Sequence, residues 1–209
     1  MPQLAFDWDA AIAHIRAVDP RMAAVHDAAG RPRLEIKRYR SPFEYLLRAI
    51  IFQQLAGKAA TTIHGRVLDL FERRRPEPAR LLKLPAPRLR KAGVSANKQK
   101  AVKDLARRAV AGEIPGFAAL GKLDDEAIID RLTQVHGVGR WTVEMLLMFQ
   151  LGRPDVLPVN DLGVQKGFAR AQSLPVAPTP KQLAQLADHW RPYRSVGSWL
   201  CWRALELPR

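Results

Sequence analysis

The chain has 209 residues, of which 47% are hydrophobic and 26% are charged. This composition excludes a disordered tail, and the length allows one compact domain or two small lobes. Lysine and arginine outnumber aspartate and glutamate by 34 to 20, for a formal charge of +14. Such an excess favours a polyanionic partner, most commonly nucleic acid, although a basic surface kept for solubility would have the same balance.

A single cysteine, Cys201, excludes an internal disulfide, a four-cysteine zinc site and a four-cysteine iron–sulfur cluster. The N-terminus carries acidic residues where a signal peptide has its apolar segment. No apolar run approaches the ~20 residues of a membrane helix. We therefore expect a soluble, monomeric protein of the cytoplasm, associated with the nucleoid if its source is bacterial.

Helical periodicity dominates the chain, and strand-like alternation is nearly absent. Two short helices are predicted before residue 30, followed by a basic, extended connector at 31–40. Ser41, with proline next and glutamate three residues later, predicts the capped start of a third helix. That helix ends near "QQLAG", and "KAATTIHGRVLDLF" predicts another directly after it.

Proline-rich segments divide the middle of the chain into short helices, after which "SANKQKAVKDLARRAVAG" predicts a longer one. Asp124 is the expected N-cap of "LDDEAIIDRLTQV", and "RWTVEMLLMFQL" continues beyond a tight turn. Three more helices are predicted after the loop "RPDVLPVN", one of them capped by Thr179 and Gln182. The pattern predicts an all-α fold of about ten helices without a sheet.

The tight turn reads "VHGVGRWT" and joins two amphipathic helices as a helix–hairpin–helix. Glycine allows positive φ and leaves successive N–H groups uncovered, because it has no Cβ. Next to a helix N-terminus, such groups form a concave donor site for a phosphate oxygen. We therefore predict phosphate binding by Gly137, Val138, Gly139 and Arg140. A purely structural glycine turn is the alternative.

The stretch "LTQVHGVGRWTVEMLLMF…DVLPVNDLGV" resembles the helix–hairpin–helix DNA glycosylase superfamily, whose signature is this hairpin, a Gly/Pro-rich loop and then an aspartate. The resemblance is closest to the alkylbase branch, the 3-methyladenine DNA glycosylase II type. "AIIFQQLAGKAATTIHGR" and "WRPYRSVGSWLCWR" are similar to that branch's other two blocks. Together the blocks extend from about residue 43 to the C-terminus.

The resemblance implies two helical lobes with a central cleft. Residues 41–152 would form a helical-barrel lobe that includes the helix–hairpin–helix at 124–150. Residues 153–209 would form the C-terminal lobe with the catalytic aspartate, and residues 1–40 would pack with it. Nothing in the N-terminal stretch resembles the extra β-rich domain that some relatives carry.

Asp161 matches the family's catalytic aspartate. Breaking an N-glycosidic bond builds positive charge on the sugar, and a fixed carboxylate stabilises that charge or aligns water. On local sequence alone Asp161 is also a helix N-cap, and Asp155 is a weaker competitor for the catalytic role. Relatives that also nick the strand carry a lysine two residues after the second hairpin glycine. Here Arg140 and Trp141 stand there, so the resemblance implies no Schiff base and no lyase activity.

Trp141 and Trp202 match the family's pocket tryptophans, and Met145 stands where some relatives have a tyrosine. An N-alkylated purine is a cation before it leaves, so it needs little general acid, and electron-rich rings attract it. Core packing is the alternative use of both indoles.

The loop "FQQLAG" matches the family's wedge, which fills the gap left by a flipped-out base. Gln54 is the expected intercalating residue and Leu55 the fallback, although glutamine here could also just end a helix. Lys58, Lys98, Lys100 and Arg140 are candidate phosphate contacts, and a solvated surface charge is the alternative for each of them taken alone.

The sequence therefore predicts a monofunctional DNA glycosylase that removes N-alkylated purines, chiefly 3-methyladenine, from double-stranded DNA in base excision repair. The alternatives are a non-catalytic DNA-binding module and a glycosylase for uracil, mismatched or oxidised bases. We expect no cofactor, no iron–sulfur cluster and no catalytic metal, with room for a structural monovalent cation at the hairpin.

Overall fold

The computed structural model describes residues 4–36 and 39–208, and these residues form thirteen α-helices and no β-strand. Ten of the helices have at least seven residues, so the predicted all-α fold of about ten helices is confirmed. The helices are α1 (Trp8–Val18), α2 (Pro20–Ala28), α3 (Pro42–Phe52), α4 (Gly57–Leu68), α5 (Pro78–Lys83), α6 (Ala86–Lys91), α7 (Ala96–Val110), α8 (Phe117–Leu120), α9 (Asp125–Leu132), α10 (Arg140–Leu146), α11 (Leu162–Ala171), α12 (Pro180–Leu186) and α13 (Arg194–Glu206).

Three shorter helical segments complete the architecture. Single 3-10 turns lie at Glu72–Arg74 and Asp188–Trp190, and a π-helical turn, Leu147–Leu151, directly follows α10. None of the helices described combines the length and hydropathy that a membrane-spanning segment needs.

The N-caps predicted from sequence are present. Ser41 Oγ accepts the N–H of Glu44 at 3.2 Å, and Asp124 Oδ1 accepts the N–H of Ala127 at 2.8 Å. At the start of α12, Thr179 and its partner three residues later form a reciprocal capping box. Each cap satisfies backbone donors that the first turn of a helix leaves without an intrahelical acceptor.

The chain divides into two compact units. The first unit combines the described parts of residues 1–38 with residues 144–209, and the second is made of residues 39–143. The chain passes from the second unit back to the first within α10, whereas the sequence analysis placed that boundary after residue 152.

In the first unit, α2 and α11 pack against α13. A Cβ on Gly167 of α11 would lie 1.9 Å from the carbonyl oxygen of Cys201, so only glycine permits this helix contact. On another side of α13, the rings of Trp8 and Trp199 meet edge to face at 5.4 Å. The first unit therefore surrounds α13, whose residues 195–201 are all buried.

In the second unit, α7 is the longest helix and packs against α3 and α5. One face of α7 is buried, including Val102 and Leu105, the two residues that the sequence analysis assigned to its apolar side. The hairpin between α9 and α10 belongs to this unit, as does the loop between α3 and α4.

Candidate active site

Asp161 is the N-cap residue of α11, with extended backbone (φ −78°, ψ 115°). Its Oδ1 accepts the backbone N–H of Val164 at 2.8 Å and the indole N–H of Trp202 at 3.0 Å. The side chain is half-buried. The capping use predicted from sequence is therefore present, and the second donor comes from α13, 41 residues further along the chain. Two hydrogen bonds to one oxygen hold the carboxylate in a fixed orientation.

Gly163 makes the contact between Asp161 and Trp202 possible. A Cβ on Gly163 would lie 2.8 Å from Trp202 Cδ1 and 2.9 Å from Asp161 Oδ1. Carbon atoms pack at about 3.5–4.0 Å, so any side chain here would displace the indole, the carboxylate or both. Sequence reasoning missed this residue. The only signal was a glycine two positions after the aspartate, in the first turn of a helix.

The loop that leads to Asp161 is fixed by two serines of α13. Ser195 Oγ accepts the N–H of Val156 at 2.9 Å and donates to the carbonyl of Arg153 at 2.7 Å. Ser198 Oγ donates to the carbonyl of Val156 at 3.2 Å. Both serines are fully buried. Sequence reasoning missed them, although two hydroxyls three residues apart in an otherwise apolar helix indicate buried hydrogen-bond partners.

Asp155 lies in the same loop, and two arginines neutralise it. Arg194 Nε donates to its Oδ1 at 2.7 Å, and Arg191 Nη1 donates to its Oδ2 at 2.6 Å. Asp155 therefore anchors the loop to the start of α13, and the choice between Asp161 and Asp155 as the catalytic residue stays a prediction.

Burial distinguishes the five tryptophans. Trp8, Trp190 and Trp199 are 5%, 0% and 7% exposed and belong to the core. Trp141 is 48% exposed, and Trp202 is partly exposed. Core packing therefore accounts for three of the five tryptophans, and the two that remain are those predicted to line a base pocket.

The ring of Trp202 stacks on Phe149, with centroids 5.8 Å apart and planes 29° apart. Phe149 lies in the π-helical turn after α10, a type of irregularity that is frequent at functional sites. Sequence reasoning missed Phe149. Met145 lies in α10 and is buried, so its assignment to a pocket wall stays a prediction.

Cys201 precedes Trp202 in α13 and is completely buried. Burial raises the pKa of its thiol well above the usual range, and the negative charges of Asp19 and Asp161 raise it further. The thiol is therefore unreactive and protonated at neutral pH. Within residues 4–36 and 39–208, no three His, Cys, Asp or Glu side chains are grouped to hold a metal ion.

One of the two hairpin glycines has the left-handed backbone that glycine permits, and the other, Gly139, does not. Gly137 adopts φ +79°, and the N–H of Val138 donates to the carbonyl of Val135 at 3.0 Å. Val138 therefore shapes the turn with its own N–H and buried side chain. The N–H groups of Gly137 and Gly139 have no acceptor in the described part of the chain, and a Cβ on Gly139 would meet nothing within 4 Å. These two groups are the exposed donors of the hairpin.

Asp104 of α7 holds the first residue of the hairpin. Its Oδ2 accepts the N–H of His136 at 2.9 Å, and its carboxylate also pairs with Arg107 and Arg108. Burial acts to raise the pKa of Asp104, but these hydrogen bonds outweigh it and hold the pKa at about 2. The carboxylate is thus ionised at any physiological pH.

Arg140, predicted as a phosphate contact, pairs its guanidinium with Glu126 of α9 through two hydrogen bonds, one of 2.9 Å. The hydrogen bond from Arg140 is the main cause of the lowered pKa of Glu126. The side chain therefore already has an acidic partner, and its role toward phosphate stays a prediction.

The predicted wedge loop follows α3. Gln54 is exposed and adopts the left-handed conformation with φ +55°, and Leu55 is exposed beside it. The side chain of Gln53 donates to the carbonyl of Gly137 at 2.8 Å. Lys58, in the first turn of α4, is exposed. The loop tip therefore projects into solvent while its base contacts the hairpin.

Lys98 was predicted to contact a phosphate, but its side chain binds backbone carbonyls of the protein. Its Nζ donates to the carbonyls of Ile51 and Gln53, both at 2.7 Å, so the ammonium closes the C-terminal end of α3. Lys100, two residues further on, is exposed.

The structure thus brings predicted residues together in two places. Asp161 contacts Trp202 within the first unit, and the wedge loop contacts the hairpin within the second. Trp141 lies in α10 and belongs to the second unit.

Known proteins are similar to this chain in sequence and in fold. The family described as "HhH-GPD superfamily base excision DNA repair protein" matches residues 47–192. The DNA-3-methyladenine glycosylase 1 of Schizosaccharomyces pombe is 33% identical over 197 residues, which cover 93% of this chain and 86% of that protein.

Two solved structures extend the comparison. The S. pombe 3-methyladenine DNA glycosylase Mag1 in complex with abasic DNA superposes with a TM-score of 0.82, at 33% identity, over 93% of this chain and 95% of that one. A DNA-3-methyladenine glycosidase from Bacillus halodurans gives a TM-score of 0.83, at 34% identity, over 93% and 88% of the two chains. The chain belongs to the HhH-GPD superfamily of base excision DNA repair proteins.

Proposed function

We propose that the protein is a monofunctional DNA glycosylase that hydrolyses the N-glycosidic bond of N-alkylated purines, chiefly 3-methyladenine, in double-stranded DNA. The observation that carries the proposal is the carboxylate of Asp161, held by the N–H groups of Val164 and Trp202 at the N-terminus of α11. The relatives named above as 3-methyladenine glycosylases support the same substrate class. The reaction begins base excision repair of alkylated DNA.

The chemistry requires one fixed negative charge and one water molecule. The bond between C1′ and the purine nitrogen breaks with its electron pair leaving on the base, which neutralises the alkylated ring. Positive charge then develops on the sugar, and the Asp161 carboxylate stabilises it. At ~4 Å and an effective dielectric constant of about 20, one such pair contributes roughly 4 kcal/mol, on the order of 10³ in rate. Water adds to C1′, loses a proton and leaves an abasic site.

The absence of a nucleophilic amine at the hairpin position supports hydrolysis without strand cleavage. Trp141 stands two residues after Gly139, and the residue between them is Arg140. Neither an indole nor a guanidinium, which stays protonated, forms a Schiff base with C1′. The product is therefore an intact strand with an abasic site.

Recognition of the base is assigned to the aromatic side chains. Trp141 and Trp202 are the two indoles that the core does not bury, and electron-rich rings attract a cationic purine by about 0.5–2 kcal/mol each. Phe149 supports Trp202 from one side. Met145 would contribute a softer, more adaptable wall.

DNA binding is assigned to the second unit. The N–H groups of Gly137 and Gly139 would bind a backbone phosphate, Lys58 would add a charge contact, and Gln54 or Leu55 would fill the gap left by the flipped base. The chain's charge of +14 favours the approach to DNA. We infer action on chromosomal DNA, at the nucleoid if the source is bacterial, and no cofactor beyond an optional monovalent cation at the hairpin.

Release of free bases from methylated DNA, resolved by chromatography, tests the function directly. We expect 3-methyladenine among the products, and Asp161→Asn should bind DNA normally while losing most of the release. Borohydride added during the reaction should trap no protein–DNA adduct. An Asp161→Asn variant that excises at the wild-type rate would remove the catalytic assignment, and DNA binding without any release would leave the non-catalytic module.

A further inference from the structure

The wedge loop, residues 53–56, follows the C-terminal end of α3. A lysine from another helix binds the backbone carbonyls at that end. Lys98 lies in the first turn of α7, and its ammonium donates to the carbonyls of Ile51 and Gln53 at 2.7 Å each. The last carbonyls of a helix have no intrahelical donor and carry the negative end of the helix dipole. A cation there donates hydrogen bonds to these carbonyls and also offsets the dipole.

The Lys98 ammonium uses two of its N–H donors on backbone carbonyls of the protein instead of on a phosphate. Its ammonium is partly buried, and burial lowers its pKa. Both carbonyls that accept from Lys98 belong to the segment that enters the wedge loop. A lysine placed in this way acts on the geometry of the loop and not on a phosphate.

A second contact joins the wedge loop to the hairpin. The side-chain amide of Gln53 donates to the carbonyl of Gly137 at 2.8 Å, across 84 residues of sequence. The same hairpin is held on its other side, where Asp104 accepts the N–H of His136. Helix α7 therefore holds the wedge loop through Lys98 and the hairpin through Asp104, while Gln53 connects the two directly.

The conformation of Gln54 indicates that this hold is needed. A residue other than glycine at φ +55° is strained, and such strain persists only where surrounding contacts impose it. Lys98 and Gln53 fix the backbone immediately before Gln54, and no residue of the wedge loop is buried.

We propose that Lys98 and Gln53, hereafter the wedge anchors, are positioning residues for base flipping. They hold the wedge loop in a fixed position relative to the phosphate-binding hairpin, so that binding of the phosphate aims Gln54 into the base stack. This inference rests on the proposed function, since it assigns roles in the recognition of damaged DNA. Its distinctive consequence is that a lysine in a DNA-binding unit acts on wedge insertion without contacting DNA.

Helix α7 offers a matched control. Lys103, five residues after Lys98, donates its ammonium to the carbonyls of Leu81, Leu82 and Leu84 at 2.9, 2.6 and 2.5 Å. It is equally half-buried, and burial lowers its pKa too. Lys103→Met therefore removes the same kind of helix-end contact from the same helix, but these hydrogen bonds go to the end of α5 and not to the wedge loop or the hairpin.

The experiment uses the full chain and a duplex that carries a stable abasic-site analogue with 2-aminopurine opposite. Fluorescence of the 2-aminopurine reports insertion of the wedge, and the dependence of affinity on salt reports phosphate contacts. Lys98→Met and Gln53→Leu should reduce the insertion equilibrium on the order of tenfold, because small displacements of a positioning element have effects of this size or larger. Lys103→Met should insert like the wild type.

The salt dependence separates positioning from direct contact. A lysine that neutralises one phosphate contributes about 0.9 to the slope of log K against log salt. Lys58→Met should lose about that amount, whereas Lys98→Met should retain the wild-type slope. Gln53→Glu, which keeps the size but replaces the donor with an acceptor facing the Gly137 carbonyl, should insert no better than Gln53→Leu.

Three results would overturn the proposal. One is a slope reduced by about 0.9 in Lys98→Met with normal insertion, which would make Lys98 a phosphate contact. Another is equal loss of insertion in Lys98→Met and Lys103→Met, which would indicate general destabilisation. The third is wild-type insertion in Gln53→Leu. This variant should fold normally, because the Gln53 side chain is partly exposed. Insertion is measured without catalysis, so a wild-type protein that releases no base from methylated DNA would refute the proposed function alone.

Discussion

Gly163→Ala tests whether the contact between Trp202 and Asp161 sets the rate of base release. The added Cβ would lie 2.8 Å from Trp202 Cδ1 and 2.9 Å from both Trp202 Nε1 and Asp161 Oδ1. Ordinary contacts of this kind are about 3.5–4.0 Å, so the indole or the carboxylate must move by roughly 0.7 Å. The 3.0 Å hydrogen bond between them would then exceed the usual limit of about 3.2 Å.

The expected magnitude follows from the lost hydrogen bond. A bond to a charged acceptor contributes about 1.5–3 kcal/mol, which corresponds to a decrease in the excision rate of about 10- to 150-fold. Stability should change less, because alanine is favoured over glycine inside a helix by up to about 1 kcal/mol, and this gain offsets part of the crowding. The variant should therefore fold and bind DNA while releasing the base slowly.

The assay is single-turnover release of 3-methyladenine at saturating protein. Gly116→Ala is the matched control, because a Cβ at Gly116 would meet nothing within 4 Å. Trp202→Phe removes the indole N–H while keeping a ring to stack on Phe149, and it should slow release by a similar factor. Wild-type rates in Gly163→Ala would refute the reasoning, and slow release in Gly163→Ala with normal release in Trp202→Phe would show that the hydrogen bond is not its cause.

Three further predictions concern stability and reactivity. Burial, with the charges of Arg48 and Arg74, lowers the pKa of His64 to about 4, so neutral His64 contributes stability that is complete above about pH 6.5 and is lost as the pH falls toward 4. The free energy of unfolding, measured with urea, should fall between about pH 7.5 and pH 5 in the wild type and fall less in His64→Gln, and identical pH profiles would exclude His64 as the cause. Cys201 should resist a thiol reagent until the protein unfolds, whereas rapid labelling of the native protein would contradict its burial. Gly167→Ala forces a Cβ against the α13 backbone and should lower the free energy of unfolding by about 3 kcal/mol or more. An unchanged melting temperature would show that α11 can move away from α13 without loss of stability.

The local features of this chain were readable from its sequence. The all-α fold, the caps at Ser41, Asp124 and Thr179, and the glycine hairpin were all predicted, because each depends on residues within about four positions of one another. The N-cap position of Asp161 was read in the same way. The substrate class followed from the resemblance of three sequence blocks to one family.

Only the tertiary structure decided which distant groups meet. The indole N–H of Trp202 reaches Asp161 across 41 residues, and Gly163 is indispensable only because that ring lies against it. Lys98 looks like any other lysine of a basic chain, yet it lies against the end of α3, 45 residues from the Gln53 carbonyl that it contacts. The physical reason is that hydrogen-bond partners across helices are set by how the helices pack, and packing depends on the combined shapes of many side chains that no local pattern contains.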